Sequence, residues 1–155
     1  MSRQTLLITI AVIATGAYIM RRRTPLNVRN NNPLNIKKDN RFTWRGEVGQ
    51  DSNGFVVFDT VENGFRAAYK NLQTYKNKYG LDSIYGIVNR WAPESDSNPV
   101  TAYMRFLADS IGAEIDQALT PEHYPNLILA MSYFEGAKGR NAFSLEQVEN
   151  GISLA

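Results

Sequence analysis

Three observations predict a mostly helical α+β fold with one small β lobe. Apolar residues recur at helical spacing from residue 61 to the end, punctuated by Gly and Pro. Residues 42–58 carry no helical period and instead set aromatic and β-branched residues between Gly, Asp and Asn clusters. The length of 155 residues suits one domain with a modest core, and without cysteine that core has no disulfide framework.

Leu6 to Met20 (LLITIAVIATGAYIM) is apolar or small throughout and uncharged. Fifteen residues fall short of the roughly 20 usual for a bilayer crossing. Uncharged Gln4 and Thr5 on one side and snorkelling Arg21, Arg22 and Arg23 on the other extend its reach. The competing reading is a cleaved signal peptide, with small residues at Ala14-Thr15-Gly16-Ala17. Three arginines directly after the apolar run resist translocation and favour an uncleaved transmembrane anchor over residues 1–23. Their charge places the rest of the chain on the cytoplasmic side at insertion.

That segment also explains the overall charge. Four of the seventeen basic residues, Arg3, Arg21, Arg22 and Arg23, lie in the first 23 positions, which hold no acid. The remainder has thirteen basic against fifteen acidic residues, net −2. No nucleic-acid footprint is expected across such a domain. A local basic run persists at Arg29, Lys37, Lys38, Arg41 and Arg45, either an anion-binding surface or a solvated loop face. A lone His123 without a thiol or second histidine gives no metal site, and no motif calls for a cofactor.

In chain order, residues 24–28 read as a linker, since Pro25 disfavours a helix running out of the membrane. The domain then spans 29–155. Its first feature is Arg29-Asn30-Asn31-Asn32-Pro33-Leu34-Asn35-Ile36, either a tight turn or a wall of amides suited to sugar acetamido and hydroxyl groups. The β lobe follows, with Asp51-Ser52-Asn53-Gly54 as its turn. Thr60 caps a helix from Val61 to about Tyr79, with Phe65, Ala68, Tyr69, Leu72 and Tyr75 on one face and Gly80 as its stop. Asp82 or Ser83 opens a helix from Ile84 to Trp91. Asn98-Pro99 starts another with Tyr103, Phe106, Leu107 and Ile111 inward, closed by Gly112. Thr120-Pro121 begins the helix that ends at Glu135, and Ser144-x-x-Gln147 forms a capping box for the last one.

The helix ending Leu127-Ile128-Leu129-Ala130-Met131-Ser132-Tyr133-Phe134-Glu135-Gly136 carries the candidate chemistry. The negative end of the helix dipole opposes ionisation of Glu135, and Tyr133 and Phe134 add desolvation. A carboxyl kept protonated near neutral pH is what general-acid cleavage of a glycosidic bond needs. The plain alternative is an ordinary surface Glu before a helix-ending Gly.

The amide segment, then Trp44-Arg45-Gly46, Gly49, Asp51, Gly54-Phe55, Phe58, Asn63-Gly64-Phe65-Arg66-Ala67, Arg90-Trp91-Ala92-Pro93 and Tyr103, resemble a phage family. Its members are virion-associated peptidoglycan-degrading proteins with a lysozyme-like, lytic-transglycosylase-like domain. The similarity covers about residues 28–136. Asn31-Asn32-Pro33-Leu34-Asn35-Ile36-Lys37 is also similar to a segment of bacterial cell-wall glucosaminidases that follows the helix bearing the catalytic Glu. Here the matching helix, Ala130 to Gly136, comes last, which implies a circularly permuted lysozyme-like domain.

The resemblance implies a membrane-anchored virion enzyme that cuts peptidoglycan glycan strands during genome entry or lysis, in a virion membrane or the host inner membrane. Glu135 would be the general acid and base. Asn30, Asn31 and Asn32 would bind substrate, with Trp91 and Tyr103 packing against the cleft. Glu47 or Asp51 would supply a second carboxylate if the reaction is hydrolysis, which needs two carboxyls roughly 5–9.5 Å apart. Without one, the substrate's own C6 hydroxyl attacks, as in lytic transglycosylases. Expected partners are peptidoglycan, a lipid membrane through residues 6–20, and other virion proteins. An endopeptidase and an inactive structural virion protein remain as alternatives.

Overall fold

The computed structural model describes residues 24–92, 100–136 and 142–155. The expected anchor at residues 6–20 lies outside them. Among the described residues no helix is long and apolar enough to cross a membrane.

The fold is α+β and mostly helical, with a two-stranded antiparallel sheet. Its elements are α1 (Leu26–Arg29), β1 (Glu47–Gln50), β2 (Val56–Phe58), α2 (Val61–Tyr79) and α3 (Ile84–Trp91). They continue with α4 (Val100–Ile111), a 3-10 turn (Pro121–His123), α5 (Tyr124–Glu135) and α6 (Leu145–Ser153). The strands pair Glu47 with Phe58 and Gln50 with Val56, with a register irregularity before Gly49. Asp51 builds the turn, its carboxylate accepting from the backbone N–H groups of Asn53 and Phe55.

Local chemistry fixes the helix ends. The Thr60 hydroxyl accepts from Asn63 N–H to start α2, and Gly80 ends it in the left-handed region at φ +67°. Ser83 caps α3, and Ser144 with Gln147 forms a reciprocal capping box on α6. The Asn98-Pro99 start expected for α4 lies outside the described residues.

Helix α5 is the spine. Tyr124, Leu127, Ile128, Ala130, Met131 and Ser132 are all buried, on more than one face, because α4, α6 and α2 pack around it. A helix covered this way loses its amphipathic stripe. Phe65, Leu72, Ile84, Ile87 and Leu107 complete a single core from the surrounding helices.

The first described residues differ from the expected linker. Residues 26–29 form a helical turn, and Asn27 is 1% exposed. The Asn27 amide donates to the carbonyls of Pro33 and Ser132, tying the chain's entry to α5. Pro25 does not block this turn because it sits at the cap, where its missing N–H costs nothing.

Gly64 shows how tightly the amide loop lies on α2. A Cβ there would collide with the backbone carbonyl of Asn31 and the ring of Pro33. Gly64→Ala therefore gains helix propensity but forces two backbones apart. We expect a net loss of about 1–3 kcal/mol, read as a lower denaturation midpoint with an unchanged slope.

Candidate active site

The last turn of α5 brings Glu135 against the amide loop. The Asn35 amide donates to the Glu135 backbone carbonyl at 2.9 Å, across 100 residues of sequence. Asn35 reaches that point because its backbone is left-handed, φ +50°, a conformation that Asn tolerates better than most residues. Gly136 completes the docking, since a Cβ there would overlap the Asn27 amide.

Trp91 from α3, Tyr103 from α4 and Asn35 lie beside the Glu135 carboxyl, and each favours its charged form. The Tyr103 hydroxyl lies 3.4 Å from Oε1. Burial pushes the Glu135 carboxyl above its ordinary range and outweighs these three neighbours, which pull it down. The same burial, with the neighbouring carboxylate, pushes the Tyr103 phenol well up, so it stays a donor. Tyr103 is 1% exposed and stacks on Phe134 with centroids 3.9 Å apart. It supports the acid from behind.

In front of Glu135 opens a cleft of about 470 Å³. Phe42, Trp44, Phe55, Tyr75 and Trp91 give it aromatic walls, while Asn35, Asn71, Asp39 and Lys37 supply polar groups. Trp44 packs edge-on against Phe42, and Tyr75 packs edge-on against Trp91. Two buried polar atoms of the lining residues have no partner in the fold, Asn35 Oδ1 and Trp44 Nε1. One is an acceptor and the other a donor, the complement of a secondary amide.

The other expected site residues lie elsewhere. The Asn30 amide donates to Asp51, Asn31 donates to the carbonyls of Phe58 and Asp59, and Asn32 is bound to Ile36 and Val56. All three side-chain NH2 groups donate to loop and strand, and none of the three residues lines the cleft beside Glu135. Asn35, four residues after Asn31, is the amide that reaches the cleft.

Neither expected second carboxylate lines the cleft. Glu47 is held by Lys38 at 2.6 Å and accepts from Trp44 N–H. Burial pushes Asp51 up, but the Asn30 amide and the Phe55 and Asn53 N–H groups outweigh it and hold the carboxyl below its usual range. Asp39, which sequence reasoning passed over, does line the cleft. Arg41 clamps both its oxygens and holds its pKa at about 2. Only the Asp39-x-Arg41 spacing hinted at that pairing. Among the described residues no group of three or more His, Asp or Glu side chains is placed to hold a metal.

No protein-family model matches the chain. It is 42% identical over 128 residues to Protein P5 of Pseudoalteromonas phage PM2, a match spanning 81% of this chain and 78% of that protein. The chain belongs to the Protein P5 family. In this P5-family chain, then, one half-buried acid, one left-handed asparagine and five aromatic residues converge on a single cleft.

Proposed function

We propose that this chain is a phage peptidoglycan glycosidase of the lytic transglycosylase type, with Glu135 as its single general acid and base. The observation that carries the reading is Glu135 itself, a half-buried carboxyl of raised pKa facing a cleft lined with aromatic rings. Aromatic faces suit the apolar faces of sugar rings, and the unpaired Asn35 Oδ1 and Trp44 Nε1 suit an N-acetyl group. The docking of α5 on the amide loop supports a circularly permuted lysozyme-like arrangement.

The choice of transglycosylation over hydrolysis follows from Asp39. It is the other carboxyl among the cleft's lining residues, and Arg41 keeps it a feeble base. Arg41 holds both Asp39 oxygens, so among the described residues no free carboxylate lines the cleft to activate water or attack C1, and the substrate supplies its own nucleophile. Glu135 gives its proton to the glycosidic oxygen as the C1–O4 bond breaks. The C6 hydroxyl of the same muramic residue attacks C1 and passes its proton to the Glu135 carboxylate, which regenerates the acid.

An apolar segment at residues 6–20 would tether the domain to a virion or host membrane for local wall opening during genome entry or lysis. The test is the product. Purified peptidoglycan treated with the full-length chain should yield fragments with 1,6-anhydro ends by mass spectrometry. Reducing muramic ends would overturn the transglycosylase step, and free amines alone would replace the glycosidase reading with an endopeptidase.

A further inference from the structure

The basic run at residues 37–45 resolves into cations of unequal freedom. Lys38 is paired with Glu47 at 2.6 Å and donates to the Phe42 carbonyl. Arg41 is clamped on Asp39. Arg90, on α3, lies over the rings of Tyr79 and Tyr75, 4.0 and 5.1 Å from their centroids. Lys37 alone of this group lines the cleft, is exposed, and has no acid within ion-pair distance among the described residues. Its backbone is fixed by a bridge to Phe55, another lining residue, so the root of the side chain does not wander.

Among the described residues the acids lining the cleft are Glu135, half-buried and with a raised pKa, and Asp39, paired with Arg41, so an uncommitted ammonium at its edge is a site for a ligand anion. The polymer of the proposed reaction carries anions in one place, the muramyl side arm: on the acidic peptide where it is attached, and on the lactyl carboxyl where the peptide has been removed. Its sugar rings are otherwise neutral. We propose that Lys37 is a specificity-determining residue that binds a carboxylate of the muramyl side arm while the sugar rings occupy the aromatic cleft. This rests on the glycosidase reading. It makes the enzyme selective for charged wall glycan over an equivalent neutral N-acetylated polymer, a selectivity that Glu135 and the aromatic walls do not provide.

The experiment compares the full-length chain with Lys37→Gln and Lys37→Arg on three forms of one peptidoglycan. These are native sacculi, sacculi whose carboxyls are amidated with carbodiimide, and sacculi stripped of peptides by an amidase, which leaves the lactyl carboxylate. The wild type should cleave native sacculi about ten-fold better than the amidated form, as a charge-assisted contact at a half-open edge would give. Lys37→Gln should bring that ratio close to one, and Lys37→Arg should restore most of it. Stripped sacculi locate the anion: cleavage like the amidated form assigns a peptide carboxylate alone, and cleavage like the native form shows that Lys37 also accepts the lactyl carboxylate that the amidase frees. A wild-type ratio near one, or a ratio unchanged in Lys37→Gln, overturns the proposal. Co-sedimentation of the Glu135→Gln chain with the same three polymers reads the preference without turnover. Binding selectivity that survives there while the wild type cuts nothing would sink the enzyme and keep the Lys37 site.

Discussion

Glu135→Gln should lose activity on peptidoglycan by about 10²–10⁴-fold and at the same time become more stable than the wild type at neutral pH. The first effect follows because Gln cannot give up a proton to the leaving oxygen. The second follows from the raised carboxyl. The folded state holds the Glu135 proton more tightly than the unfolded chain, whose carboxyl titrates near 4.5. Stability from this group is therefore fully present below about pH 4.5 and declines as pH rises through the folded value. Gln does not titrate, and its amide fills almost the same space. Thermal unfolding should show the variant's advantage largest at neutral and alkaline pH, shrinking toward zero in acid. The activity of the wild type should decline over the same alkaline limb, since the acid form is the one that starts the reaction. A catalytic group that strains its own fold gives this pairing, and a surface glutamate gives neither. Equal product release by the two proteins would remove Glu135 from the mechanism.

The sequence carried the helical frame because each boundary has a local cause. Thr60, Gly80, Ser83 and the Ser144–Gln147 box act within one turn of their own position. Glu135 was also legible, since a lone acid ending an apolar helix is locally anomalous. What the sequence concealed was which amide meets it. Asn30, Asn31, Asn32 and Asn35 are the same chemical type within six positions, and their assignments depend on where the β2 strand and α5 arrive. Those are contacts across 24 and 100 residues. Asp39 was hidden for a similar reason. Its exposure to the cleft depends on the fold of the 37–44 loop, whereas Glu47 and Asp51 sat in a lobe expected to face substrate. The turn at Leu26–Arg29 escaped because four residues carry no readable period, and its stability comes from the Asn27 bonds to Pro33 and Ser132.

Asn32→Ala should be the most damaging single change to the fold outside the apolar core. Asn32 is 0% exposed and makes three bonds. Its carbonyl accepts from Ile36 N–H at 2.8 Å, and its amide donates to the carbonyls of Ile36 and Val56 at 2.9 and 2.8 Å. Alanine leaves the Ile36 N–H buried with no partner and takes a donor from two carbonyls. At roughly 1–3 kcal/mol for a stranded group and about 1 for each other lost bond, the loss comes to about 3–5 kcal/mol. That is a large share of the 5–15 kcal/mol typical of a domain. Asn32→Asp keeps the acceptor for Ile36 N–H but aims a carboxylate at two carbonyl oxygens, so it should fare no better. A substrate-binding Asn32 would behave differently, raising KM while the unfolding transition stayed where it was. Measured at low temperature, where most Asn32→Ala molecules remain folded, substrate affinity should fall far less than stability. The proposed chemistry then rests on Asn35 and Glu135, which Asn32 reaches only by fixing the turn between them and β2.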